Sequence, residues 1–408
     1  MKCLKFTLFL ILYGWILHAD TPYVVMVSFD GFRYDYADRT DTPNFDYLRD
    51  HGSMAKSLQP VFPSKTFPNH YTLATGAYTQ THMLTGNSIY DKKFKERYAM
   101  SNRNTVQDPK WYQAEPVWVT AERQGVKTAS FFWVGSEAAI KGIYPSITKY
   151  YDESVPYEAR VDSVISWLQL PENNRPHLVM LYFDEPDYTG HVEGPENPLV
   201  DEKVRYLDRI LGMLFTGLMA LPVAPDINLI VMSDHGMTPT SNDRIIPLNQ
   251  YINTDKLIVD IDGAYAQFDV RRFWQKRQLT KDLQHIPHLT AYAKKMIPDR
   301  YHFVNRNTRD FLLVADEGWT IIPGETIGSN LSISAGNHGY DPQVKNMQGI
   351  FYAFGSAIRP GVTVAAFENI HIYPLVCKIL AIEPYANAND APEGRLDILS
   401  PLLDKPQP

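Results

Sequence analysis

Six carboxylate and imidazole side chains in this 408-residue chain stand where α/β proteins do chemistry, at the ends of short apolar runs and beside glycine or a polar turn. Asp30 closes "YVVMVSFDG". Asp187 and His191 lie in "DEPDYTGH", Asp234 and His235 in "SDHG", and His338 in "GNHG". Glycine beside a ligand lets the backbone turn tightly and approach closely. Mixed carboxylate and imidazole donors suit zinc, with manganese or iron as the other options; no cysteine is suitably placed for thiolate ligation. Taken singly each piece is ordinary. An Asp-Gly after a strand is usually a turn, and a lone histidine is usually structural, which is how His70, His82 and His177 are read. Four such pieces together argue for one metal centre.

A seventh side chain is Thr66, in "VFPSKTFPNHYTLATG". A threonine before a helix is ordinarily a cap. Here Pro63 and Pro68 stiffen the segment, and a helix N-terminus supplies N–H donors and positive dipole for an anion. Beside a metal centre, Thr66 reads as a hydroxyl held for chemistry.

These residues need elements to position them. "YVVMVSFDG", "HLVMLYFDEPD" and "INLIVMSDHG" are continuous apolar runs, as strands buried on both faces are. Helices are expected between them. One spans "TPNFDYLRDHG", with Thr42 as N-cap, Pro43 at the first position and Gly52 as the stop. Others start near Phe67, at Val117, in "ARVDSVISWLQL", over Leu199 to Leu221 and around "IHIYPLVCKILAI"; Met54 to Gln59, "VKTASFFW" and "GIFYAFGSAI" read as further strands. The alternation predicts an α/β fold, a mainly parallel central sheet with helices on both faces, with ligands beyond the carboxyl ends of its strands. From Arg244 the pattern changes. Residues 20–243 and 332–400 are expected to form one discontinuous catalytic domain, 244–331 a smaller α+β insertion, and 401–408 a frayed tail.

Composition narrows the class. A hydrophobic share of 44% and 12% aromatics support a real core, and a net charge of −7 disfavours a stable nucleic-acid complex. Residues 1–19 read as a signal peptide: Lys2 and Lys5, an apolar run from Phe6 to Leu17, and a cut after Ala19. The run is short for a membrane span; an uncleaved signal anchor is the other reading. With Cys3 in that segment, processing leaves Cys377 alone, so no intrachain disulfide forms. That favours the periplasm over a large animal extracellular enzyme, within a general expectation of a periplasmic or secreted protein. The sequon at Asn330 is too weak a signal to oppose it. No membrane contact is expected after processing, and nothing in the sequence sets the oligomeric state.

"VSFDGFR", "PSKTFPNHYTLATG", "TGNSIYD", "EPVWVTAERQG", "FFWVGSE", "LYFDEPDYTGHVEGP", "SDHGM" and "GNHGYD" together resemble the nucleotide pyrophosphatase/phosphodiesterase family of the alkaline phosphatase superfamily, in order and over about residues 23–355. The resemblance implies an alkaline-phosphatase-like fold, two Zn²⁺ ions and a threonine nucleophile. It implies one zinc on Asp187, His191 and His338, and the other on Asp30, Asp234, His235 and Thr66. It matches Asn87 to an asparagine that binds a non-bridging phosphate oxygen, and Phe67 and Tyr151 to positions that sandwich a nucleobase. Trp133 either walls that pocket or packs in the core. The implied reaction is hydrolysis of nucleotide phosphodiester or pyrophosphate bonds through a phosphothreonine-type intermediate, with a small-molecule nucleotide as substrate. A choline or lysophospholipid headgroup phosphodiesterase, or a phosphoryl transferase on the same site, remains the alternative.

Overall fold

The structure is a computed structural model that describes residues 22–254, 257–272, 274–324, 333–387 and 389–403. The expected signal peptide, the Asn330 sequon and the end of the tail from residue 404 lie outside the described residues.

The centre is an eight-stranded sheet. From edge to edge its strands are Thr363–Val364, Ser53–Ala55, Phe351–Gly355, Ile227–Met232, Tyr23–Phe29, Leu178–Phe183, Thr128–Phe131 and Ile147–Lys149. All neighbours run parallel except Phe351–Gly355, which is antiparallel to both of its neighbours. The three apolar runs lie side by side, with Phe29 opposite Phe183 and Ser28 opposite Met232. That register brings residues far apart in sequence to one level at the carboxyl edge.

Alternation within the strands divides the core. Val24 and Met26 pack on one face with Tyr71, Trp118 and Tyr373, from the helices Thr66–Thr75, Val117–Arg123 and Ile372–Ile379. Val25 and Val27 pack on the other with Phe45, Val161 and Leu207, from the helices Pro43–His51, Tyr157–Leu168 and Pro198–Met219. Residues buried on both sides have no polar face to show, which is why these strands read as unbroken apolar runs. The arrangement is the α/β fold expected.

Some local details differ. Thr42 does precede the helix Pro43–His51, but its hydroxyl donates to Ala37 O, and the free N–H groups of Asn44 and Phe45 are accepted by Asp208 Oδ1 from the long helix. The expected strand Met54–Gln59 is two short strands, because the chain changes partner: Met54 pairs with Thr363 and Tyr352, and Leu58 with Phe367. A hairpin of Ser88–Asp91 and Glu96–Ala99 stands where no strand is expected. Between residues 245 and 322 lies a second, four-stranded antiparallel sheet of Leu257–Ile261, Tyr265–Val270, Phe311–Ala315 and Leu289–Ala293, with the helix Gln275–Leu283. Phe268, Leu283, Phe311 and Leu313 form its core. Cys377 is buried and free. Among the described residues no helix is long and apolar enough to cross a membrane.

Candidate active site

Asp30 follows the strand Tyr23–Phe29, and Gly31 turns the chain with φ +66°. A Cβ at Gly31 would lie 2.8 Å from Asp187 Cα and Cβ, so the left-handed turn and the close approach both require glycine. Asp187 opens the short helix Asp187–Glu193, its N–H bonded to Asp30 O, and His191 lies one turn on. Asp234 and His235 follow the strand Ile227–Met232. His338 follows the short strand Gly336–Asn337. The structure thus gathers all six expected ligands. Asp187, His191 and His338 offer donor atoms within 4.8 Å of one another, as do Asp30, Asp187 and His235.

Hydrogen bonding shows where the free lone pairs point. His191 Nδ1 lies 2.8 Å from Gly336 O, His338 Nδ1 2.8 Å from Ser64 O and His235 Nδ1 2.9 Å from Gly236 O. A carbonyl can only accept, so each Nδ1 carries the proton and each Nε2 presents a lone pair. His191 Nε2 and His338 Nε2 face each other at 3.1 Å, a repulsive arrangement without a cation between them. The carboxylates repeat the pattern. Tyr182 donates to Asp30 Oδ2 at 2.7 Å, and Gly31 N–H donates to Asp234 Oδ1 at 3.2 Å. Asp30 Oδ1, Asp234 Oδ2 and Asp187 Oδ1 are buried and without a hydrogen-bond partner. Buried orphan acceptors are costly. Within this cluster the three orphan carboxylate oxygens and the Nε2 atoms of His191, His235 and His338 all belong to candidate ligands, so the donor set fits divalent cations.

Electrostatics agree. Burial, then repulsion from Asp234 and Asp187, pushes the Asp30 carboxyl well up from its ordinary range. Burial and Asp187 raise Asp234 well up as well. Burial raises Asp187 against the opposing pull of His191 and Lys65. Burial lowers His235 and His338 far below an ordinary imidazole. Two fully buried acids, Asp30 and Asp234, and the partly buried Asp187 crowd together here and leave a hole for positive charge.

Thr66 is the first residue of its helix, with Lys65 at the cap position and no side-chain cap bond. Its Oγ1 lies 3.2 Å from His235 Nε2, so the hydroxyl borders the ligand cluster instead of capping the helix. Asn69 was not singled out by the sequence, yet it fixes this segment. Fully buried, it accepts from Val61 N–H and donates to Pro63 O and Lys65 O. His70, read as structural, stands inside the centre. Its Nδ1 donates to Thr66 O at 3.0 Å, its Nε2 accepts from Ser28 Oγ at 2.9 Å, and Asp234 Oδ2 is 3.3 Å from Nδ1. Although it falls within ligand distance of Asp30 and Asp234, both ring nitrogens are engaged, so it braces the helix that Thr66 opens rather than offering a lone pair. Tyr182, which orients Asp30, also carried no sequence signal, being one more aromatic in an apolar run.

A cavity of about 440 Å³ opens from Thr66, Asp187 and His191 toward Phe67, Trp133 and Tyr151. Phe67 is half-buried against Tyr98, and Tyr151 is exposed, leaning on Phe132. Trp133 borders the cavity but is 1% exposed, its Nε1 donating to His70 O, so most of its ring is core. Asn87 Oδ1 accepts from Phe67 N–H at 3.0 Å, which leaves its donor nitrogen for a ligand.

The fold and the acidic, histidine-lined cluster define an alkaline-phosphatase-like α/β protein. The family model for type I phosphodiesterase/nucleotide pyrophosphatase matches residues 24–341, and the chain belongs to that family. It is 37% identical over 401 residues to a venom phosphodiesterase of Naja atra, covering 95% of this chain and 47% of the relative. It is 36% identical over 404 residues to human ectonucleotide pyrophosphatase/phosphodiesterase family member 1, covering 95% of this chain and 42% of that one. The chain therefore spans about half the length of these curated relatives. Among solved structures, murine ectonucleotide pyrophosphatase/phosphodiesterase 5, as an inactive threonine-to-alanine variant in complex with AMP, superposes with a TM-score of 0.87 at 32% identity. That match covers 94% of this chain and 100% of the other.

Proposed function

We propose that the chain is an exported hydrolase, periplasmic or secreted, that cleaves phosphodiester or pyrophosphate bonds of small nucleotides with Thr66 as nucleophile. The observation that carries this reading is the convergence of three orphan carboxylate oxygens and three Nε2 lone pairs into one cluster, which Thr66 Oγ1 joins through His235 Nε2 at 3.2 Å, at the mouth of an aromatic cavity. Two Zn²⁺ ions fit the donors, one on Asp187, His191 and His338 and one on Asp30, Asp234, His235 and Thr66; such cations would acidify the hydroxyl and offset phosphate charge.

The protein's own groups do the rest. Asn69 and His70 hold the Thr66 segment so that Oγ1 faces phosphorus in line with the leaving oxygen. Oγ1 forms the new P–O bond as its proton passes to solvent, and the bond to the leaving oxygen breaks, that oxygen departing as the anion or taking a proton from water. Asn87 Nδ2 donates to a non-bridging oxygen. Water then cleaves the phosphothreonine from the vacated side, so two inversions give retention at phosphorus. Phe67 and Tyr151 supply faces for a base, whose stacking is sequence-tolerant and worth roughly 1–3 kcal/mol. Tyr151→Ala is accordingly expected to raise KM for p-nitrophenyl-TMP about tenfold with a smaller change in kcat, read by steady-state kinetics.

Diesters are favoured over monoesters because the basic side chains beside the site are already paired, Lys65 with Asp262 and Arg103, which lines the cavity, with Glu137. The deciding experiment assays p-nitrophenyl-TMP, p-nitrophenyl phosphate and p-nitrophenyl phosphocholine side by side, with and without chelator. Turnover is expected to be fastest on p-nitrophenyl-TMP. Preference for the phosphocholine ester would move the substrate class to lipid headgroups.

A further inference from the structure

The second sheet is not remote from the chemistry. The turn at Asp262 and Gly263, between the strands Leu257–Ile261 and Tyr265–Val270, reaches the residue that precedes Thr66. Asp262 Oδ1 lies 2.6 Å from Lys65 Nζ. The Lys65 stem lies against Gly339, where a side chain would strike it, and its ammonium reaches Asn337 Oδ1 at 3.4 Å. The same Asn337 oxygen accepts the His338 N–H at 2.9 Å. Lys65 is 5% exposed, so its charge is poorly screened. The pair stands beside His338, and Lys65, after His191, opposes the effect of burial on Asp187. Asp262 also lines a separate cavity of about 280 Å³, between the hairpin Ser88–Asp91/Glu96–Ala99 and the second sheet, with Thr85, Ser88, Arg97 and Tyr265.

We propose that Asp262 determines leaving-group selectivity by cancelling the charge of Lys65, which lies beside His338 at the edge of the ligand cluster. The inference rests on the nucleotide phosphodiesterase reading given above. With the base between Phe67 and Tyr151 and Thr66 attacking in line, a leaving group that departs on the His338 side would meet the Lys65 stem where it lies against Gly339. A polyphosphate leaving group brings more negative charge there than a nitrophenolate does. With Asp262 ionised beside it, Lys65 rewards that extra charge little, so the two leaving groups are treated alike. Without Asp262, a buried ammonium faces the departing anion uncompensated.

The test compares kcat/KM for ATP and for p-nitrophenyl-TMP in four proteins: wild type, Asp262→Asn, Lys65→Met and the double variant. The ratio of ATP to p-nitrophenyl-TMP is expected to rise about tenfold in Asp262→Asn and to fall about tenfold in Lys65→Met, which leaves a lone carboxylate. It should return near the wild-type ratio in the double variant, and Asp262→Glu should keep that ratio. High salt should leave most of the gain in Asp262→Asn, because the Lys65 charge is buried and poorly screened, and a gain that salt erases would point to a surface effect instead. A merely structural contact would move both single variants the same way, or neither, and either result overturns the inference. Should Lys65→Met fail to fold, the Asp262→Asn ratio and its salt dependence decide alone. A wild type active on p-nitrophenyl-TMP with an unmoved ratio removes this inference only. A wild type inactive on both diesters with metal supplied removes the reading beneath it, and this inference with it.

Discussion

Thr66→Ala is expected to lower kcat/KM for p-nitrophenyl-TMP by at least about a thousandfold, the scale on which losing a covalent nucleophile registers. Bound metal and melting temperature should be nearly unchanged. The geometry separates the two roles a threonine at a helix start can have. A capping threonine replaced by alanine costs about 1 kcal/mol of stability. Here the cap position is Lys65, Thr66 makes no cap bond, and its hydroxyl lies against His235 Nε2. Removing Oγ1 therefore takes away little fold stability and leaves Asp30, Asp234 and His235 in place. Thr66→Ser keeps an oxygen at the same position and should retain most of the rate. Acid quenching with labelled substrate should trap phosphate on wild-type protein and none on Thr66→Ala. An alanine variant with more than about a tenth of wild-type activity would end the nucleophile assignment.

How much of this is legible in the sequence depends on what the signal is. The strands Tyr23–Phe29, Leu178–Phe183 and Ile227–Met232 are legible because burial on both faces leaves no polar alternation to confuse them. The positions that end them are legible too, since Asp30 and Asp234-His235 break an apolar run abruptly. What joins them is register, and register between strands some two hundred residues apart has no local signature. The hairpin Ser88–Ala99 is missed for a different reason. Its turn, Lys92 to Lys95, holds no glycine, asparagine or proline. Asp91 makes the turn by accepting from Lys93 and Phe94 N–H, while Lys95 takes φ +58° without being glycine. The supporting residues are hidden by type. Tyr182 and Asn69 are single polar groups inside otherwise ordinary elements, and their partners, Asp30 and the Val61–Lys65 backbone, are known only once the chain is folded. The Lys65–Asp262 pair is the extreme case, linking two sheets that sequence patterning assigns to different parts of the chain.

Stripping the metal with a chelator should abolish turnover and lower Tm, and the loss in Tm should grow as pH rises from about 5 to about 8. Asp30, Asp187 and Asp234 have carboxyls raised above the ordinary value of 3.8 in the metal-free fold. A raised carboxyl contributes stability below its unfolded pKa that is lost as pH climbs through the folded one, so the metal-free fold weakens with rising pH. His235 and His338 are lowered, so they stay neutral in the fold with or without metal and cost both states alike at acid pH. The difference between loaded and stripped protein thus follows the ligands that hold protons in the stripped fold, the carboxyls foremost: a cation must displace those protons at low pH and none at high pH. At free metal about a thousandfold above Kd the stabilisation is roughly 4 kcal/mol. Differential scanning calorimetry across that pH range, with and without chelator, reads the trend. Add-back of zinc, manganese and iron identifies the ion, with zinc expected to restore the most activity. A Tm gap that shrinks as pH rises would mean the carboxylates are not the ligands, and full activity in protein with no bound transition metal by elemental assay would mean that Thr66 works without one.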